Sequence, residues 1–245
     1  MFSFDSRIRY SESQSEGKLT LEALLNYFQD CSTFHSEELG VGFSYLKERN
    51  LVWVLSSWQI MVDRYPDLCE HVTIGTFPYE FKGCFGHRNF FMKDAQGSYL
   101  AKANSLWTLL DTDSFRPARI TKEMQENYVI EEKMPMEYAS RKINIPGEGS
   151  LEEEIKVRTQ HLDTNHHVNN GQYVRMAMDF LPERFVISQM RSEYKKQALL
   201  HDIMHPYVVS QKGDNKQEVW TVSFKDAQDG IYVNVEFEGK VQGND

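Results

Sequence analysis

Leu162-Asp163-Thr164-Asn165-His166-His167-Val168-Asn169-Asn170 passes without a break from polar loop chemistry into an apolar helical pattern. Beyond it, Tyr173, Met176, Ala177, Phe180 and Leu181 recur on one face of a helix expected over about residues 169–181, and Pro182 discourages its continuation. A strand is expected before the loop, at residues 153–158. More are expected after the helix, at 186–194, 207–211, 219–224 and 232–237. Gly213-Asp214-Asn215 and Asp229-Gly230 are turn signals between them. This half reads as strand, polar loop, one long helix, then antiparallel strands.

The same order occurs earlier in the chain. A strand candidate at residues 4–10 leads through a polar loop to a helix expected over about 21–39. Leu21, Leu24, Leu25, Phe28 and Cys31 share one face of that helix, with Thr20 as N-cap and Gly40 as stop signal. Strand candidates follow at 52–62, 72–81, 88–93 and 99–111, with the turn Asp94-Ala95-Gln96-Gly97 before the last. One helix beside a curved antiparallel sheet, present twice, is an α+β arrangement. Residues 120–127 suit a short helix. The charged stretch 131–150, with Pro135, Pro146, Gly147 and Gly149, suits a linker between domains at 1–130 and 151–245.

The two halves differ in chemistry. In an extended stretch, Asp163, Asn165 and His167 would share one side while Thr164 and His166 point away. A carboxylate can orient a histidine, an amide can hold a substrate or water, and the imidazole can move a proton. The N–H groups at the start of the following helix suit a developing negative charge. Asn169 and Asn170 read as helix caps. The corresponding loop of the first half, residues 11–17, has no histidine and no Asp-x-Asn. Only the second half is expected to carry chemistry.

Composition narrows the alternatives. A net charge of −9 argues against nonspecific nucleic-acid binding, which needs a basic surface. Docking of an acidic protein would need a local basic patch, for which Arg184, Arg191, Lys195 and Lys196 are candidates. Cys31, Cys69 and Cys84 cannot all pair and form no C-x-x-C, which fits a reducing compartment. No signal pattern opens the chain and no apolar run approaches the ~20 residues of a membrane span. A soluble, cytoplasmic protein is expected. No metal or other cofactor is expected: His166 and His167 diverge in an extended chain. A calcium loop would need Gly at Val168 and Glu at Val174.

The chain resembles the acyl-[acyl carrier protein] thioesterases, which look like two fused hotdog domains. The resemblance rests on Leu162 to Asn170, similar to that family's Leu-Asp-x-Asn-x-His-Val-Asn-Asn. It rests also on Asp63-Arg64-Tyr65-Pro66, on Ser105-Leu106-Trp107-Thr108, and on Ser192-Glu193-Tyr194-Lys195-Lys196. It implies hydrolysis of the thioester joining a fatty acyl chain to the phosphopantetheine arm of acyl carrier protein, which releases free fatty acid and ends elongation. It implies catalytic roles for Asp163, Asn165 and His167, with either Asp163 or His167 as base, and it leaves the first half as an acyl-chain wall. Plant members carry a glutamate, often followed by cysteine, where this chain has Gln197 and Ala198. An amide accepts no proton near neutral pH, so Gln197 is expected only to support by hydrogen bonding. Two other readings stand beside this one: an acyl-coenzyme A hydrolase of the same fold, and a non-catalytic acyl- or carrier-binding module. A homodimer is left open, because sheets of this kind commonly pair further.

Overall fold

The computed structural model describes residues 1–145, 147–163, 165–213 and 217–242. It divides into two units. The first comprises Met1–Ser56 and Val62–Tyr138, and the second Ser57–Met61 and Ala139–Asp245. Each is described separately below.

The first unit contains β1 (Phe2–Arg7), α1 (Leu21–Glu38), α2 (Phe43–Glu48), the larger part of β2 (Leu51–Val62), β3 (His71–Lys82), β4 (Phe85–Asp94), β5 (Tyr99–Asp111) and α3 (Lys122–Glu126). The strand order is β1-β3-β4-β5-β2, and the β1/β3, β3/β4 and β4/β5 pairs are antiparallel. Helix α1 begins where the sequence implies: the Thr20 side chain accepts the Ala23 N–H at 3.1 Å, a cap whose loss costs about 1 kcal/mol. It ends at Gly40, whose φ of +70° is the left-handed stop that glycine supplies without a Cβ penalty. Leu21, Leu24, Leu25, Phe28 and Cys31 are all buried, and the Phe28 and Phe90 rings lie 5.4 Å apart. Each such side chain contributes roughly 1.5–3 kcal/mol by leaving water.

The second unit contains the Ser57–Met61 part of β2, then β6 (Ser150–Leu151), β7 (Ile155–Lys156), α4 (Asn170–Met178), β8 (Phe185–Tyr194), β9 (Ile203–Lys212), β10 (Glu218–Lys225) and β11 (Ile231–Val241). Its sheet runs β2-β8-β11-β10-β9-β6, antiparallel throughout, with β7 also on β9. The register Phe224↔Val233 and Val222↔Val235 puts apolar side chains on the α4 face, and the Tyr173 and Phe224 rings meet at 6.2 Å. The alternate pair Ser223↔Asn234 lies on the opposite face.

Two expectations need correction. The strand expected at 153–158 is only the short pairing Ile155–Lys156 on β9, separated from the pairing Ser150–Leu151 by the exposed acids Glu152, Glu153 and Glu154. Helix α4 closes at Met178, and the turn bonds Phe180 N–H to Ala177 C=O and Leu181 N–H to Met178 C=O lead into Pro182. Backbone amides of the expected linker, 131–150, bond strand side chains. In the first unit the Met134 N–H donates to Asn89 Oδ1 at 3.1 Å. In the second, Ala139 N–H bonds Gln59 Oε1 at 2.9 Å and Ile143 N–H bonds Glu193 Oε2 at 3.1 Å. Pro146 and the Asp214-Asn215 part of the expected turn lie outside the described residues.

Candidate active site

The segment from Asp163 to His167 is a closed turn, where an extended stretch was expected. Leu162 bridges Val168, the Asp163 N–H donates to the His167 carbonyl at 2.8 Å, and the His166 N–H donates to the Asp163 carbonyl at 3.1 Å. The cause is Asp163 itself. Its Oδ1 accepts the N–H of Asn165 at 2.8 Å and of His167 at 3.2 Å, bonds that an aspartate offers in competition with extended backbone. His166 takes φ +62° to complete the turn. Asp163 and His167 are half-buried, whereas Asn165 and His166 are exposed; Thr164 lies outside the described residues. Asp163 therefore holds the backbone amides of Asn165 and His167 in one closed turn, and the alternation of side chains along a strand does not apply here.

Gln197 belongs to a segment stitched to this turn. His167 bridges Leu199, and the Val168 N–H donates to the Ala198 carbonyl at 3.0 Å. Gln197 is exposed, next to buried Ala198. The segment is fixed further by Asp202, whose Oδ2 accepts the Leu199 N–H at 2.9 Å and the Tyr232 O–H at 3.2 Å. It is fixed also by Tyr173, whose hydroxyl accepts the Ala198 N–H at 3.0 Å. Sequence reading missed Asp202, Tyr232 and the hydroxyl of Tyr173. Tyr173 was legible only as one apolar position on the helix face, Tyr232 comes from a distant strand, and Asp202, three residues after Leu199, belongs to no motif.

Asn169 is the N-cap, as its position implies. Its side chain accepts the Gly171 N–H at 2.8 Å and its carbonyl accepts the Gln172 N–H at 3.0 Å. Those two first-turn amides of α4 are thus already bonded. The Asn170 carbonyl accepts the Tyr194 O–H at 3.1 Å, which ties the helix start to β8. Basic candidates for a docking patch have acidic partners nearby. Arg191 pairs with Glu236 at 2.7 Å, Lys196 with Asp226 at 2.7 Å, and Lys195 lies 3.6 Å from Glu193. Among the described residues, no group of three or more His, Cys, Asp or Glu side chains is placed to hold a metal ion.

The first unit contains the same device with different side chains. Ser13 bridges Leu19, Gln14 N–H donates to the Lys18 carbonyl at 2.9 Å, Gly17 N–H donates to the Gln14 carbonyl at 2.9 Å, and Gly17 has φ +72°. Lys18 bridges Asp67, and the Leu19 N–H donates to the Pro66 carbonyl at 2.9 Å. Position for position, Gln14, Glu16 and Lys18 stand where Asp163, Asn165 and His167 stand in the second unit. Asp63-Arg64-Tyr65-Pro66 stands where Lys195-Lys196-Gln197-Ala198 does. The Asp63 and Arg64 amides both bond the Leu100 carbonyl, and the Lys195 and Lys196 amides both bond that of Tyr232. The repeat is therefore residue-matched around this turn, and only the second copy has a carboxylate, amide and imidazole there.

The sequence matches the family model for the acyl-ACP thioesterase N-terminal domain over residues 1–128 and that for the C-terminal domain over residues 146–238. A chloroplastic acyl-[acyl-carrier-protein] hydrolase of Cuphea viscosissima is 24% identical over 260 residues, covering 96% of this chain and 61% of that protein. The chain thus spans about three fifths of that relative's length. Among solved structures, a putative oleoyl thioesterase from Lactobacillus plantarum superposes with a TM-score of 0.88 at 21% identity, covering 99% of this chain and 97% of the other. An acyl-ACP thioesterase from Bacteroides thetaiotaomicron gives 0.85 at 21% identity, covering 97% of each chain. At that identity the likeness shows the fold: α+β, a tandem hotdog.

Proposed function

The chain belongs to the acyl-ACP thioesterase family, and we propose that it hydrolyses the thioester of fatty acyl-[acyl carrier protein] with one catalytic centre, in its second unit. The observation that carries this reading is the Asp163–His167 turn bonded to the Gln197–Leu199 segment at the start of α4. Water adds to the thioester carbonyl carbon while His167 takes its proton. The carbon–sulfur bond then breaks, and the proton passes to the departing pantetheine thiolate, a good leaving group that needs little acid assistance. Asp163 organises the turn, since its Oδ1 is committed to two amides. Asn165, exposed on the turn, holds the substrate or the water, and Gln197 supports by hydrogen bonding. The first unit has Gln14, Glu16 and Lys18 at the matching positions, which supports placing the reaction in the second unit alone. Cys31, Cys69 and Cys84 are all free, and no helix among the described residues is long and apolar enough to cross a membrane. The free cysteines support a reducing setting such as the cytoplasm.

The test is thiol release from a series of acyl carrier protein thioesters, with the same acyl groups on coenzyme A for comparison. Turnover of the carrier-protein thioesters, lost in His167→Ala, is the expected result. Faster turnover of the coenzyme A thioesters would reassign the carrier. Tight binding of acyl carrier protein without thiol release would replace hydrolysis by a binding role, the reading that the amide at Gln197 favours.

A further inference from the structure

The Ala198 peptide is held from both sides. Its carbonyl accepts the Val168 N–H at 3.0 Å, from the residue after His167, and its N–H donates to the Tyr173 hydroxyl at 3.0 Å. Ala198 is fully buried and Tyr173 is 2% exposed, so neither partner has water as a substitute. The Tyr173 ring is itself wedged between Tyr194 and Phe224, each 6.2 Å away between centroids. Burial pushes its phenol upward, so it stays protonated and is no candidate base.

The first unit supplies an internal control. There, Leu24 occupies the helix position of Tyr173, four residues after the N-cap in both cases, and Pro66 occupies the position of Ala198. Leucine removes the acceptor and proline removes the donor. Both residues are buried, and the Pro66 carbonyl still receives the Leu19 N–H. The fold closes this junction without the hydroxyl. The bond is present only in the unit whose turn has a carboxylate, amide and imidazole. Fold stability alone does not account for its placement.

We propose that Tyr173 is a positioning residue: through the Ala198 amide it fixes where Gln197 stands relative to the His167 turn. The inference rests on the hydrolase reading above. Three variants separate its consequences: Tyr173→Phe, the double variant Tyr173→Leu with Ala198→Pro, and Gln197→Ala. Tyr173→Phe keeps the ring packing but leaves the Ala198 N–H without its acceptor. Its kcat is expected to fall roughly three- to tenfold, as on loss of the Gln197 side chain itself, with KM within about twofold, and amide exchange across 197–199 is expected to speed up. The double variant imports the first unit's solution, removing donor and acceptor together. It is expected to melt near wild type yet to keep the low kcat. Gln197→Ala is expected to add little further loss on the Tyr173→Phe background, because the two act as one unit.

Wild-type kcat in Tyr173→Phe would overturn the proposal. So would recovery of kcat together with melting temperature in the double variant, because the bond would then serve only to satisfy a buried amide. A wild-type protein with no thiol release at all would sink the hydrolase reading itself. Turnover that ignores Tyr173 sinks this inference alone.

Discussion

The Asp163 carboxylate accepts the backbone N–H of His167 at 3.2 Å, so one residue of the expected site builds the turn that presents another. Structure and chemistry at Asp163 can be separated by mutation. Asparagine retains an Oδ1 acceptor for both amides, whereas alanine removes it. Asp163→Asn is expected to melt within a degree or two of wild type and to keep most of its turnover, since the turn is preserved. Asp163→Ala is expected to lose turnover and to be destabilised by about 1–2 kcal/mol, the scale of a lost amide-to-carboxylate bond. Thermal melts beside thiol-release rates decide it: equal melting of the two variants would mean that the turn does not depend on this carboxylate.

Proton transfer by His167 predicts that His167→Ala loses roughly 10²–10⁴-fold of kcat/KM. Turnover close to wild type in His167→Ala would shift the base to another group. Gln197→Ala, which removes only a hydrogen-bonding side chain, is expected to cost less, about three- to tenfold in kcat.

His166 sits at φ +62°, where the matching residue of the first unit is Gly17 at φ +72°. A non-glycine residue pays roughly 1–2 kcal/mol in that region, partly offset by the greater chain entropy that glycine loses on folding. His166 is exposed and has no assigned part in the reaction. His166→Gly is therefore expected to match or raise the melting temperature and to leave turnover within about twofold. A large loss of kcat would give His166 a role that the present assignment lacks.

In the first unit, His35 is buried, stacks on Phe2 at 5.5 Å, and accepts a hydrogen bond at Nδ1 from the Arg88 guanidinium at 2.9 Å. Burial first, then the Arg88 charge and the N-terminal charge, pushes its pKa down to about 4 from 6.5. Because the folded value is depressed, the unfolded chain binds the extra proton first. Stability is then fully present above about pH 6.5, falls as the pH drops towards 4, and levels off below. The loss at full protonation is on the order of 3 kcal/mol. Denaturant melts at pH 7 and pH 4.5 should show a smaller acid-induced loss in His35→Gln than in wild type. Equal losses would place the acid sensitivity elsewhere.

How far the sequence could be read depended on the range of the interaction. The helix boundaries at Thr20, Gly40 and Asn169 were legible because caps and left-handed stops act within a few residues. The strand at 153–158 was misjudged because hydrophobic spacing there cannot register that three consecutive acids must stay solvated. The stretch 131–150 read as a linker because its partners, Asn89, Gln59 and Glu193, lie far along the chain on sheet faces.

By itself the sequence determined the α+β repeat, the residue types of the candidate site and their absence from the first copy. Periodicity, capping and composition are local properties, and they survive without knowledge of any distant contact. Asp163 closes the 163–167 turn through bonds two and four residues away, which are local as well. Only the tertiary structure set the Gln197–Leu199 segment against that turn, with the Ala198 amide held at the Tyr173 hydroxyl. Those last relations depend on hydrogen bonds whose partners come from separate elements, and the register that brings such partners together is set by burial of the whole sheet against its helix.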